Sequence, residues 1–158
     1  MHRNIVAVMR ETDKSEAIVS RTLSVAGLYA SGTFTVGFLL GTARELAVAP
    51  ALGTTTALVV ELPIMIAASV GIGRWCLRRE RPRFAAAERL AMGAVSLILL
   101  LLMEDLLTRA LRGTSLSEQW ASQTEARLAL TIAGLLAFAI APLIIGARGR
   151  ADRVISGQ

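Results

Sequence analysis

Cysteine, histidine and lysine are almost missing from this chain of 158 residues. Each appears once, as Cys76, His2 and Lys14. A single cysteine allows no internal disulfide, no CxxC redox pair and no cysteine-based structural zinc site. With one histidine at the extreme N-terminus, a bis-histidine haem cannot form within one chain, and a Ser–His intramembrane protease is equally unsuited. Lys14 lies outside every apolar run, so a retinal Schiff base in a helix core is ruled out. Aromatic residues make up 4% and charged residues 18%, below the quarter or so of charge usual in a soluble domain. Phosphate-binding signatures are missing too. There is no GxxxxGK[ST], and the close pair Gly71 and Gly73 lacks the third glycine of a dinucleotide loop.

What the chain has is apolar length: 54% of its residues are hydrophobic. Four runs reach the 20 or so residues that cross a hydrocarbon core of about 30 Å. Backbone groups in lipid must be satisfied within the segment, and the alternation of barrel strands is missing. The expected fold is therefore all-α, an integral membrane four-helix bundle with helices over about 22–47, 54–73, 85–108 and 127–146. Residues 1–21 are expected to form a tail or a short interfacial helix, and 147–158 a basic tail. Pro50 directly after Ala47-Val48-Ala49 argues against signal cleavage, so the first run reads as a retained helix.

Arginine and lysine set the orientation. The N-terminal segment, the second link and the C-terminal tail carry thirteen of them, and the other side carries Arg44, Arg109, Arg112 and Arg127. This bias predicts cytoplasmic termini and accounts for the net charge of +5. No aromatic-interleaved basic face suggests nucleic acid. Trp75 and Trp120 fall near opposite interfaces. The run Arg78 to Arg83 suits anionic headgroups as well as orientation, and Cys76 beside it is open to acylation.

Helices in lipid associate through small residues. Helix one offers Ala26, Ala30, Thr33, Gly37 and Gly41, with Gly37 and Gly41 forming a GxxxG pair. Helix four offers Ala129, Ala133, Ala137 and Ala141. Helix three aligns Ala87, Ala91 and Ala94 with Asp105. Tyr29, in mid-helix, should hydrogen-bond a neighbouring helix. The sharpest feature is Glu61 followed by Pro63, which removes a backbone donor to Val59. Thr54, Ala57 and Ala68 share the Glu61 face, which is thus a packing face. Glu61, Arg44, Asp105 and Glu104 are the candidate ion- or substrate-binding residues at the outer end, since intramembrane ionisable groups are costly.

The segments Gly41-Thr42-Ala43-Arg44, Pro50-x-Leu52-Gly53, Glu61-Leu62-Pro63, Arg74-Trp75 and Arg89-Leu90-Ala91-Met92-Gly93 together resemble small uncharacterised multi-pass inner-membrane proteins of bacteria. The resemblance covers about Gly37 to Met103 and implies a bacterial inner-membrane location, with no reaction attached. No cofactor or metal is expected. The expected partners are the lipid bilayer and a second copy or another membrane protein. Three functions compete. The first is a non-enzymatic oligomer or subunit locked by an Arg44–Glu61 pair. The second is a proton- or cation-coupled transporter exchanging at Glu61. The weakest is an enzyme at Glu104 and Asp105.

Overall fold

The structure, a computed structural model, describes the backbone over residues 2–79 and 84–156 and the side chains over 12–79 and 84–146. Pro82, Arg81 and Arg83 of the second link, and the side chains of the C-terminal tail, lie outside the described residues. Helix α1 runs His2–Ala43, followed by a turn of π-helix Arg44–Val48 and a short α2, Ala49–Leu52. Helix α3 is Thr54–Arg79, α4 Ala86–Arg112, α5 Leu116–Ala121 and α6 Glu125–Ser156. No strand occurs among the described residues. Among the described residues four helices are long and apolar enough to cross a membrane, so the chain is an all-α bundle of multi-pass membrane type.

Helix boundaries differ from the sequence expectation in five places. The segment 1–21 is not a separate tail or interfacial helix: α1 is continuous from His2. Its 42 residues rise about 63 Å, roughly twice a hydrocarbon core, so its first half extends beyond the span. At its other end the regular helix stops at Ala43 rather than 47. Helix α3 continues to Arg79 and α4 to Arg112, because arginines prolong a helix into headgroups without breaking its backbone pattern. Helix α6 likewise runs on through 147–156. Among the described residues, Gly53 and Gly113 supply the two breaks that need positive φ, at 80° and 69°.

The four long helices form a square. Helix α1 packs on α3 and α4, and α6 packs on the same two. Helices α3 and α4, consecutive in sequence, occupy opposite corners. The centre is held by Tyr29, which reaches across the diagonal from α1 to α6. Its ring stacks on Phe138 with centroids 4.6 Å apart, and its hydroxyl donates to the Phe138 carbonyl at 3.0 Å. Ser96 Oγ donates to the Ala26 carbonyl at 3.0 Å, tying α4 to α1. Gly93 lets α4 approach the backbone of Ala139 so closely that a Cβ there would overlap its carbonyl oxygen. Outside the square, Leu39, Ile98, Leu102, Leu106 and Leu136 remain more than half exposed, as suits a surface whose solvent is hydrocarbon.

Two small-residue faces are not where sequence spacing put them. On α4, Ala87, Ala91 and Ala94 point outward, and the packed face is Arg89, Met92, Gly93, Ser96 and Leu100. On α6, Ala129 and Ala133 are exposed, Ala137 is half-buried and only Ala141 is buried. A strict spacing of four drifts about 40° per step. The buried side instead follows Arg127, Thr131, Gly134, Phe138 and Ala141, alternating steps of three and four. On α1 the expected face holds: Ala26, Ala30 and Thr33 are buried. A Cβ at Gly37 would lie 3.2 Å from Met65 Cε, whereas Gly41 faces open space, so only the first glycine of the GxxxG pair makes a helix contact.

At the end of the bundle opposite α5 the described residues are closely packed. Arg89 is only 7% exposed. Its Nη1 donates to the Phe84 carbonyl at 2.7 Å, and its guanidinium occupies the space that Gly146 leaves free. Arg21 stacks over the Phe84 ring at 4.0 Å. Cys76 is buried. Trp75 is partly exposed and carries Arg79 over its ring at 3.9 Å, an arrangement suited to a membrane interface.

Candidate functional site

At the α5 end the square opens into a cavity of about 580 Å³ between α1, α3, α4 and α6. It extends inward to Thr33, Ser69 and Phe138, just above the Tyr29–Phe138 stack. Below that level the bundle is packed by Tyr29, Met92 and Ser96, each fully buried.

Arg44 enters the cavity from the π-turn that ends α1. In that turn the Ala49 N–H bonds to the Arg44 carbonyl, five residues back. The wider turn is a geometry often found at functional sites. Arg44 Nη1 donates to Glu61 Oε2 at 2.9 Å, and Nη2 to Glu45 Oε1 at 3.0 Å. The Glu61 side chain is 13% exposed and that of Arg44 24%, so the pair is partly desolvated. The pairing expected from sequence is thus present, and it forms part of the cavity wall rather than a dry seam between helices. Pro63 and Val59 sit on the exposed side of α3. They lie two positions from Glu61, about 200° around the helix. The carbonyl freed by Pro63 is therefore not beside the carboxylate, contrary to what the sequence suggests.

The structure splits the other acidic pair. Glu104 lines the cavity together with Glu61 and Arg44. Asp105 does not line it. Its Oδ2 accepts from Arg109 Nε at 2.7 Å, and its Oδ1 accepts from the Leu116 N–H at 2.9 Å, so it anchors the start of α5. Adjacent residues on a helix diverge by about 100°, so the two carboxylates cannot both face the cavity. Among the described residues no group of three or more His, Cys, Asp or Glu side chains is placed to hold a metal ion.

Several residues of the site carry no signal in sequence. Arg112 and Arg127 read as orientation marks, yet both line the cavity. Thr108 and Gln119 meet at 3.3 Å between α4 and α5, and Thr131 Oγ1 lies 3.4 Å from Gln123 Oε1. Trp120, expected as an interface anchor, also lines the cavity, because α5 folds back over the open end. These contacts depend on the path of the loop 113–124, which apolar periodicity does not encode. No protein-family model matches the chain, and no curated protein or solved structure matches it.

Proposed function

We propose that this multi-pass membrane protein is a small transporter. In this reading it admits a charged solute to the α5-end cavity and exchanges a proton or cation at Glu61. The observation that carries the reading is that the Arg44–Glu61 pair lines a ligand-sized cavity reaching the middle of a bundle whose other end is packed. Ligand sites are commonly concavities of about 300–1,000 Å³ with apolar walls and a few convergent polar groups. A carboxylate whose guanidinium partner also serves Glu45 can change partners as the cavity fills or empties. The setting proposed with it is a bacterial inner membrane with both termini cytoplasmic, supported by the thirteen-to-four basic bias and by the motif resemblance.

The test is reconstitution into liposomes loaded with a pH-sensitive dye. A pH gradient is imposed, and Na⁺, K⁺ or tetraphenylphosphonium is added. Proton movement evoked by at least one of these and abolished by Glu61→Gln is the expected result. Flux that survives Glu61→Gln removes the exchanging role from that residue. Absence of flux with every probe rejects transport of this kind.

A second reading, association with another copy or a membrane subunit, is favoured by a different observation. Ala87, Ala91 and Ala94 on α4 and Ala129 and Ala133 on α6 are small residues left on the outside of the bundle. Such residues are what close helix contacts in lipid use. Cross-linking in native membranes separates the two readings: a monomer throughout rejects self-association, and flux by that monomer supports the first.

A further inference from the structure

We infer that the cavity binds an amphipathic zwitterion, with Glu104 receiving its cationic group and Arg127 its anionic group. The inference rests on the reading of this cavity as a ligand site and adds the class of ligand.

The carrying observation is a charge pair that does not form. Arg44 is accounted for by Glu61 and Glu45. Glu104, Arg127 and Arg112 line the same cavity, yet none of their side chains makes a hydrogen bond or ion pair with any described residue. Arg112 is exposed to solvent, whereas Glu104 and Arg127 are half-buried. Arg127 Nε is buried without a partner. Depth does not separate them. Helices α4 and α6 touch where Gly93 meets Ala139. From that contact Glu104 lies eleven residues along α4 and Arg127 twelve along α6, in the same direction. The rises are about 16 and 18 Å, within one helical turn of each other. Opposite charges at one level on neighbouring helices would attract strongly in so poor a solvent. The cavity holds them apart.

A guest that fills this gap must answer both. A simple cation would leave Arg127 unpaired, a simple anion would leave Glu104 unpaired, and a neutral molecule would leave both. An unpaired desolvated charge is strongly unfavourable. The apolar wall of Phe34, Phe38, Leu62 and Leu135 supplies a surface for a hydrocarbon or aromatic body. At the deep end Thr33, 1% exposed, has a hydroxyl with no partner, one more polar atom for the guest. Two sources offer this chemistry: a single-chain zwitterionic lipid from the bilayer, and a water-borne zwitterion with an apolar body.

The test is equilibrium binding to the full chain in a non-ionic detergent, read from Trp120 fluorescence in a Trp75→Phe background. Four probes are titrated: lysophosphatidylethanolamine, the dipeptide Leu-Phe, an alkylammonium and an alkyl phosphate. At least one zwitterion should bind saturably and at least tenfold tighter than either singly charged probe. Glu104→Gln and Arg127→Gln should each weaken that zwitterion tenfold or more. Arg127→Gln should not weaken alkylammonium binding, and Glu104→Gln should not weaken that of alkyl phosphate, because each substitution removes a like charge that repels the probe. Preference for the lysolipid assigns the bilayer as source, and preference for the dipeptide assigns the aqueous phase. Singly charged probes that bind as tightly as both zwitterions overturn the inference, as does no binding by any of the four. The ranking of the probes on the unsubstituted cavity needs neither charge variant to fold. No gradient is imposed, so a failure here is distinct from a failure of flux through Glu61.

Discussion

At the scale of single residues, the bundle depends on close backbone approach as well as on its buried Tyr29, Met92 and Phe138. Gly93 is the extreme case, because α4 and α6 touch through backbone there. Replacing it with alanine places a methyl group against the Ala139 carbonyl, and neither backbone can yield without moving a whole helix. Overpacking of this kind costs about 1–3 kcal/mol. Gly71 has nothing within 4 Å of the corresponding position and lies inside α3, where alanine is the better helix former by up to about 1 kcal/mol. Gly93→Ala should therefore lower the unfolding midpoint in detergent, while Gly71→Ala should leave it unchanged or raise it. Equal losses for both would show that the Gly93 contact does not hold α4 against α6.

At the scale of elements, α5 is the piece that depends most on specific polar bonds. It is six residues long, too short to persist by its own helical propensity. Ser115 Oγ accepts from the Glu118 N–H at 3.2 Å, and Glu118 Oε2 accepts from the Ser115 N–H at 2.7 Å. This reciprocal cap is joined by the bond from the Leu116 N–H to Asp105. The Ser115 bonds hold the Glu118 carboxyl below its ordinary value of 4.5. A depressed carboxyl contributes its stabilisation fully above that ordinary value and loses it as pH falls toward and through the lowered one. Trp120 emission in a Trp75→Phe background should thus hold steady from neutral pH to about pH 5 and change below it. In Glu118→Gln the acid-side change should shrink. An identical profile in the variant would remove Glu118 from the cap's pH response. Elements also mark the limit of what sequence displays. The four spans, the α1 face from Ala26 to Thr33 and the reach of Tyr29 to a neighbouring helix are legible. Each follows from run length, small-residue spacing or one polar group in an apolar run. The packed faces of α4 and α6 are not, because alanine is equally at home against lipid and against a helix. Arg89 is hidden for a related reason. Its packing depends on the small residue at Gly146, far away in sequence, and alone it looks like an interface charge. The cavity was half legible: Arg44 and Glu61 stand out as ionisable groups near an apolar run, whereas Arg112, Arg127 and Trp120 enter through the loop around α5.

At the scale of the whole molecule, four crossings put both termini at the same end of the square. The cavity, α5 and the Arg44–Glu61 pair are at the other end. The proposed orientation rests on the basic bias: thirteen Lys and Arg in the segments on the terminal side against four on the cavity side predict a cavity that opens away from the cytoplasm. Cys76 is buried and is the lone cysteine, so Cys76→Ser gives a background in which single reporters can be placed. Thr114, in the turn before α5, and Ser15, on the first half of α1, are both exposed. A membrane-impermeant maleimide added to intact cells should label Thr114→Cys and should reach Ser15→Cys only after permeabilisation. The reverse pattern would turn the molecule over, leave the fold intact and place the cavity mouth in the cytoplasm. Labelling of both positions in intact cells would contradict the separation of the two ends by a bilayer, and with it the four crossings from which the orientation follows.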